Sequence, residues 1–207
     1  LLVRTGSAIV PIPGGDKLGI RPLDRLFDCF QQMGISTQIT ENQIKFNVNK
    51  IKPVHYTFNK PSHTVTETVI MVAVFADGQT ILNNAAQEPE IDDLILMLNS
   101  MGAKINRHPQ DSKQIIIDGV TSLSGTKHQV ICDRNEIVTF ACAALATKGS
   151  INILRSDPKT VQTFLDTIKN MGAKVVPGRD EITISWVQPL KNIDIVTGPE
   201  PEFMTDW

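Results

Sequence analysis

Apolar residues recur at helical spacing in three stretches of the chain, and each stretch lies between a proline and a glycine. In the first stretch, Leu23, Leu26, Phe27 and Phe30 share one helix face, because residues three and four positions apart lie side by side on a helix. Proline is tolerated in a first helical turn, and glycine readily adopts the left-handed conformation after the last turn. The pattern predicts three amphipathic helices. Their prolines are Pro22, Pro89 and Pro158, and their glycines are Gly34, Gly102 and Gly172.

Short strand-like runs, rich in β-branched residues, stand before and after each of these helices. One run precedes each helix and two follow it. Short runs of this composition are typical of strands bounded by turns. The strands before the helices are predicted at residues 8–10, 80–82 and 151–153, and those after them at 35–39, 44–48, 104–106, 114–117, 174–176 and 181–186.

Two further stretches, residues 64–76 and 136–147, are apolar on nearly every side. A helix without a polar face is usually buried, so both are predicted to be core helices. Strand-like runs at residues 54–58 and 129–132 precede them. The complete unit is therefore βαβαββ, and the predicted fold class is α/β.

This unit occurs three times along the chain. Met33-Gly34, Met101-Gly102 and Met171-Gly172 are 68 and 70 residues apart. A fixed period of that size indicates copies of one supersecondary unit. The first copy lacks its opening strand and most of its first helix, and a fourth copy begins with a predicted strand at residues 192–197. We therefore expect a piece of a longer polypeptide, truncated at both ends.

One copy carries an insertion. The distance from the glycine before the first strand to the glycine after the helix is 28 residues in the first copy, but 24 and 23 in the others. The additional residues fall in the stretch 11–21, which contains Gly14, Gly15, Asp16, Lys17 and Arg21. Glycines that allow close backbone approach, together with an arginine before a helix, suit a phosphate or a carboxylate. A surface turn with solvated charges is the alternative interpretation.

Composition narrows the function classes. Apolar residues make up 41% of the chain and charged residues 20%, as in ordinary globular proteins. A net charge of −2 gives no overall attraction to nucleic acid or to acidic membranes. No apolar run has the length of a membrane span, and three cysteines without a CxxC pair suggest no disulfide framework. We expect a cytoplasmic protein without nucleic-acid or membrane partners.

Other polar residues carry weaker signals. The four histidines lack metal-ligand spacing, so no metal site is expected. Cys29 and Cys142 lie within predicted helices and are expected to be core thiols. Acidic residues beside Pro89 favour the helix dipole, so Glu88 and Glu90 are interpreted as capping residues rather than catalytic ones. Asp133 is expected to be an N-cap.

Three separate motifs carry a resemblance to a known family. They are Pro-Gly-Gly-Asp-Lys-Leu-Gly-Ile-Arg-Pro at residues 13–22, Asn-Ala-Ala-Gln-Glu-Pro-Glu-Ile at 84–91 and Gly-Pro-Glu-Pro-Glu-Phe-Met-Thr-Asp at 198–206. In this order they resemble the UDP-N-acetylglucosamine enolpyruvyl transferases (UDP-N-acetylglucosamine 1-carboxyvinyltransferases). The resemblance extends over the whole chain and about the middle half of the family's length.

The resemblance implies a fold and a domain organisation. The family has two similar domains, each of three βαβαββ units in an inside-out α/β barrel, with the active site in the cleft between them. Residues 1–130 would form most of the first domain, and residues 131–207 would open the second. The missing parts of the same polypeptide would complete the site.

The resemblance also implies roles for individual residues. Asp16 stands where the family commonly has the cysteine that donates a proton to the enolpyruvyl methylene and reacts with fosfomycin, and some members carry Asp there. Asp206 matches the residue that binds the sugar 3-hydroxyl and is proposed to deprotonate it. Arg21 matches an arginine that contacts phosphate and carboxylate.

The remaining implied residues bind UDP-N-acetylglucosamine. Pro22, Leu23 and Asp24 match the stretch that lines the uridine, although Arg25 stands in place of the usual apolar residue. Lys60 and Ser62 match residues that hold the diphosphate. His63 and Thr64 replace the small residues that usually follow that serine.

The implied reaction transfers the enolpyruvyl group of phosphoenolpyruvate to the 3-hydroxyl of UDP-N-acetylglucosamine without a cofactor. It is the first committed step of peptidoglycan precursor synthesis, and so belongs to cell-wall biogenesis, cell shape, the cell cycle and cell division. The related 5-enolpyruvylshikimate-3-phosphate synthases lack the Asn-Ala-Ala-x-Glu-Pro-Glu motif and have a Ser-Ser-Gln motif that is missing here. A noncatalytic UDP-sugar-binding or regulatory homologue is the alternative from another class.

Overall fold

The first repeat folds into a short helix and a sheet of three antiparallel strands, with one long helix between the first strand and the second. The structure is a computed structural model and describes residues 1–14 and 22–207. The elements of this repeat are α1 (Leu2–Thr5), β1 (Ser7–Pro11), α2 (Asp24–Gln32), β2 (Ser36–Ile39) and β3 (Gln43–Asn47).

The second repeat is a complete βαβαββ unit. Its elements are β4 (His55–Thr57), α3 (His63–Ala73), β5 (Gln79–Asn83), α4 (Pro89–Ser100), β6 (Lys104–His108) and β7 (Asp111–Asp118). Strand β4 pairs in parallel with β5, and α3 connects the two strands. The carboxyl end of β4 therefore leads directly into the loop before α3.

The third repeat contains α5 (Arg134–Ala146), β8 (Ser150–Leu154), a 3-10 helix (Pro158–Val161), α6 (Gln162–Met171), β9 (Lys174–Pro177) and β10 (Glu181–Ser185). Strand order is the same in all three repeats, since the last strand always lies between the other two: β1-β3-β2, β5-β7-β6 and β8-β10-β9. The neighbouring strands pair antiparallel in each case. The predicted βαββ part of the unit is confirmed in all three repeats, and the second repeat also has the predicted opening strand and buried helix.

Helix ends follow the prediction more closely than helix starts. Gly34, Gly102 and Gly172 have φ values of 81°, 103° and 109°, so each supplies the left-handed conformation beyond its helix. Pro89 opens α4 as predicted, whereas Pro158 opens a 3-10 turn before α6. Pro22 lies before α2, which begins at Asp24.

The chain divides into two compact units, Leu1–His128 and Gln129–Trp207. Each has its own apolar core, and the first contains the first two repeats. The assignment of residues 1–130 and 131–207 to two domains of a longer protein stays a prediction.

Helix α3 is the buried helix predicted for residues 64–76. Val69, Ile70 and Ala73 are fully buried in the core of the first unit, where α2 and α4 pack against α3. The helix ends at Ala73, three residues earlier than predicted, but Val74 and Ala76 in the following turn are still buried.

Helix α5 is not buried all round, and the prediction for residues 136–147 was wrong on this point. Ile137, Ala141 and Leu145 face the core of the second unit, whereas Phe140 is 54% exposed. In the described part of this unit, α5 packs mainly against β8, β10 and the 3-10 helix, without the two long neighbouring helices that cover α3. Cys142, expected to be a core thiol, is exposed for the same reason.

Two predicted strands do not form. Residues 129–132 have no regular secondary structure and pair with no strand in the described part of the chain, and Val130 is 70% exposed. Residues 192–197 make only one isolated bridge, between Thr197 and Phe203. A strand is stabilised by hydrogen bonds to a neighbouring strand, and an apolar run alone does not provide that neighbour.

Within the described ranges, no helix combines the length and apolar character needed to cross a membrane.

The burial of α3 generates a prediction for stability. Substitution Ile70→Ala should lower the free energy of unfolding by about 2–5 kcal/mol, because a fully buried side chain is removed and a cavity remains. The neighbouring Met71→Ala is the control: Met71 is 46% exposed, so the change should stay within about 0.5 kcal/mol. Urea unfolding, monitored by circular dichroism, measures the free energy of unfolding of both variants. Equal losses for the two variants would contradict the burial of α3 in the core.

Candidate functional site

The segments before α2 and before α3 meet in the first unit. Arg25 donates hydrogen bonds from Nη1 to the backbone oxygens of Lys60, at 3.2 Å, and Pro61, at 3.5 Å. Arg25 is the second residue of α2, directly after Asp24. The stretch 22–24, which the resemblance assigns to the uridine, is therefore linked to the stretch 60–64, assigned to the diphosphate.

Tyr56 on β4 holds the start of α2 against the sheet. The Tyr56 hydroxyl on β4 donates to Asp28 Oδ2 at 2.8 Å and lies 3.4 Å from the Arg25 backbone oxygen. Burial, and then the hydrogen bond to Asp28, raise the pKa of Tyr56, so the phenol stays protonated and remains a donor. This contact holds the first turns of α2 against the strand that leads to Lys60.

The start of α3 offers backbone donors. Ser62 precedes the helix in an extended conformation, and its side chain makes no capping hydrogen bond. The first N–H groups of a helix have no partner within it and carry partial positive charge, which suits an anion. Lys60 is exposed beside them. This arrangement of a lysine, a serine hydroxyl and a helix N-terminus is able to hold a phosphate group.

His63 and Thr64 form the first turn of α3. His63 Nε2 lies 3.4 Å from Glu67 Oε1, one turn further along, without the geometry of a hydrogen bond. Thr64 is exposed, and its backbone oxygen accepts from the Thr68 hydroxyl at 2.7 Å. Both predicted residues are thus at the N-terminal end of α3, close in sequence and space to Ser62.

The loop before α4 is held by Arg107. Its guanidinium donates to the backbone oxygens of Ala86, at 3.0 Å, and Ser112, at 2.7 Å, and pairs with Asp92 at 2.5 Å. The Ala86 N–H in turn donates to the buried Thr66 hydroxyl on α3 at 3.2 Å. The Asn-Ala-Ala-Gln-Glu-Pro-Glu motif is therefore fixed against α3.

Glu88 stands at the N-cap position of α4, where a carboxylate favours the helix dipole as the sequence predicts. It is the residue before α4, but its side chain makes no capping hydrogen bond, and Oε2 is shielded from water without a hydrogen-bond partner in the described residues. Glu90 lies in the first turn of α4, as capping by charge requires. Asp133, by contrast, is the predicted N-cap of α5, since Oδ1 accepts from the N–H groups of Asn135 and Glu136.

Cys29 is the core thiol that the sequence predicts. It is fully buried, and burial together with the neighbouring Asp28 raises its pKa to about 12. Such a thiol is a poor nucleophile near neutral pH.

Among residues 1–14 and 22–207, no three His, Cys, Asp or Glu side chains are arranged to hold a metal ion.

Of the catalytic candidates, Asp206 is among the described residues. Asp206 is exposed near the end of the second unit, three residues after the buried Phe203. Asp16 and Arg21 fall in the stretch 15–21, outside the described residues. Their predicted roles stay predictions.

Sequence reasoning missed the residues that organise these segments: Arg25, Tyr56 and Arg107 in the first unit, and Arg134 and Glu200 in the second. Arg25 carried a signal, because it departs from the apolar residue usual in the resembling family. The contacts of the others join residues far apart in the chain, such as Arg134 and Glu200, whose side chains form an ion pair at 2.7 Å.

Comparison with known proteins agrees with the fold and the motifs. The family model of EPSP synthase (3-phosphoshikimate 1-carboxyvinyltransferase) matches residues 1–207. UDP-N-acetylglucosamine 1-carboxyvinyltransferase from Prochlorococcus marinus (strain MIT 9312) is 41% identical over 210 residues, which cover 100% of this chain and 45% of that protein. The protein of the same name from Shewanella woodyi is 39% identical over 100% of this chain and 49% of its own length. The chain thus spans about half the length of these curated relatives.

Solved structures show the same fold at lower sequence identity. The enolpyruvyl transferase NikO from Streptomyces tendae has a TM-score of 0.81 at 21% identity, covering 99% of this chain and 49% of that one. EPSP synthase from Acinetobacter baumannii has a TM-score of 0.65 at 21% identity, covering 89% of this chain and 44% of its own. With a βαββ topology that recurs three times and a family model that matches from end to end, the chain belongs to the EPSP synthase family of enolpyruvyl transferases.

Proposed function

We propose that this chain is part of an enzyme that transfers the enolpyruvyl group of phosphoenolpyruvate to the 3-hydroxyl of UDP-N-acetylglucosamine. The observation that carries the proposal is the Arg25 link between residues 22–24 and residues 60–64. Two stretches that the resemblance assigns to different parts of one UDP-sugar are thereby held side by side. The curated relatives that cover the whole chain carry this activity in their names.

The proposed reaction is an addition followed by an elimination. Asp206 accepts the proton of the sugar 3-hydroxyl while that oxygen bonds to C2 of phosphoenolpyruvate, and Asp16 donates a proton to C3. The resulting tetrahedral intermediate loses the C3 proton and the phosphate, which regenerates the carbon–carbon double bond in the product. Positioned cations stabilise the developing charge, so the chemistry requires no redox group.

Each proposed residue has a place in this scheme. Arg21 contacts the phosphate and carboxylate of phosphoenolpyruvate, while Pro22, Leu23 and Asp24 line the uridine. Lys60, Ser62 and the start of α3, with His63 and Thr64, bind the diphosphate. The position of Lys60 beside the N-terminus of an 11-residue helix supports this role, because both favour negative charge.

The acceptor specificity of the complete protein tests the proposal. The product of the complete reading frame should release phosphate from phosphoenolpyruvate only when UDP-N-acetylglucosamine is added, and Asp206→Ala should reduce the rate at least about 100-fold. The 207-residue chain alone should release none, since half a cleft does not preorganise charge around the reacting atoms. Phosphate release with shikimate 3-phosphate in place of the UDP-sugar would assign a different acceptor. UDP-sugar binding without any turnover would favour a noncatalytic homologue.

Asp16 generates a prediction about inhibition. A carboxylate is a much weaker nucleophile toward an epoxide than a thiolate, so fosfomycin should leave the enzyme fully active. Asp16→Cys should restore inactivation by fosfomycin, and Asp16→Asn should slow turnover about 100-fold or more if the carboxyl is the proton donor. Time-dependent loss of phosphate release measures the first effect and steady-state kinetics the second. Near-normal turnover by Asp16→Asn would remove Asp16 from the mechanism.

Arg25 generates a prediction about binding. Arg25→Gln removes the guanidinium that joins the two UDP-binding segments and should weaken UDP binding about threefold to tenfold, the loss expected for one or two hydrogen bonds. Lys45→Gln on the exposed face of β3 is the matched control and should leave affinity unchanged. Isothermal titration calorimetry measures the affinity of both variants of the complete protein for UDP. Equal affinity in Arg25→Gln and the unsubstituted protein would contradict the importance of the link.

A further inference from the structure

The second unit contains a nearly fully buried guanidinium. Arg134 is the first residue of α5 and is 3% exposed. A buried charge is stable only when it is paired and hydrogen-bonded. Arg134 Nη1 donates to Glu200 Oε2 at 2.7 Å and lies 3.4 Å from the Thr160 backbone oxygen. The helix start is thus tied to a residue 66 positions further along the chain.

The same guanidinium also contacts Trp207. Its central carbon lies 5.6 Å from the centroid of the Trp207 ring, within the range of a cation–π interaction. The indole N–H donates to Asn135 Oδ1 at 3.2 Å, and the rings of Phe203 and Phe164 pack edge-on against the indole. Trp207 is therefore held by both of the first two residues of α5.

These two contacts bracket Asp206. Glu200 and Trp207 mark the two ends of the segment 200–207, and Asp206 directly precedes Trp207. Between the ends, Phe203 is buried and the Thr163 hydroxyl donates to the Pro201 backbone oxygen at 2.8 Å. The Asp206 carboxylate is exposed, and in the described part of the chain its one hydrogen bond comes from the adjacent Thr205 hydroxyl at 3.4 Å. Its placement depends on how the segment is anchored.

We propose that Arg134 and Glu200 are positioning residues for Asp206. One guanidinium pairs with the carboxylate before Asp206 and lies against the indole after it, so it fixes the segment from both sides. The inference rests on the proposed function, in which Asp206 accepts a proton from the sugar hydroxyl. Proton transfer requires the base within hydrogen-bond reach of the hydroxyl, so a displaced segment would slow the chemical step.

Trp207 gives a direct readout of the anchor. The chain contains two tryptophans, so Trp186→Phe leaves Trp207 as the single tryptophan, which is excited selectively at wavelengths that tyrosine does not absorb. In that background of the 207-residue chain, Glu200→Gln should increase acrylamide quenching of Trp207 about twofold, because the ring loses its ordered cationic neighbour. Glu202→Gln, an exposed carboxylate in the same segment, is the matched control and should have no effect. Asn135→Ala, which leaves the ion pair intact but removes the indole acceptor, should also increase quenching.

The activity of the complete protein tests the consequence for Asp206. Glu200→Gln should lower kcat about tenfold with little change in KM for phosphoenolpyruvate, and Glu202→Gln should leave both unchanged. Unchanged quenching in Glu200→Gln and Asn135→Ala would overturn the anchor. Increased quenching with an unchanged kcat would overturn its role in positioning Asp206. Absence of phosphate release from the unsubstituted complete protein would overturn the proposed function and that role with it, while the quenching result would still decide whether the anchor exists.

Discussion

The burial of helix α3 organises the first unit. Its apolar residues cover most of its circumference, and only the side that carries Thr64 and Met71 is exposed to water. Strands of two repeats and the helices α2 and α4 supply the surrounding surface. No single repeat could do this, because one sheet and one amphipathic helix cover only part of a helix circumference. The repeats are therefore interdependent in the folded unit.

The enclosure of α3 also determines where the proposed binding residues lie. A core helix has little freedom to move, so its N-terminus and the preceding Lys60–Ser62 segment occupy a defined place at the end of β4. Arg25 and Tyr56 then fix the start of α2 to this segment and to the strand. Backbone donors, Lys60 and the residues before α2 gather at one end of a rigid element. Rigid support of this kind suits recognition of a charged ligand.

The second unit uses a different means to fix the segment that carries the proposed base, Asp206. Its core is smaller, and α5 retains an exposed side that includes Phe140. The segment that carries Asp206 has no regular secondary structure to hold it, apart from one isolated bridge. A buried ion pair and a cation–π contact at Arg134 take that role. Such interactions are directional, so they specify one arrangement of a segment that hydrophobic contact alone would leave less defined.

The sequence by itself determined much of the local structure: the amphipathic helices, the left-handed glycines after them and the βαββ order of elements that the three repeats share. These features follow from residue periodicity and backbone conformation, which depend on near neighbours in the chain. Motif resemblance further indicated the family and a set of site residues. The structure describes most of those residues, but not Asp16 or Arg21.

Only the tertiary structure decided which apolar surfaces are covered and which polar groups meet. The stretches 64–76 and 136–147 look alike in sequence, yet α3 is buried on most sides and α5 keeps a larger exposed side, because burial depends on neighbouring elements. For the same reason Cys142 is exposed and residues 129–132 form no strand, since a strand requires a partner. Arg25 meets Lys60 across 35 residues, and Arg134 meets Glu200 across 66. Contacts over such distances are set by how the elements pack, and no local pattern encodes them.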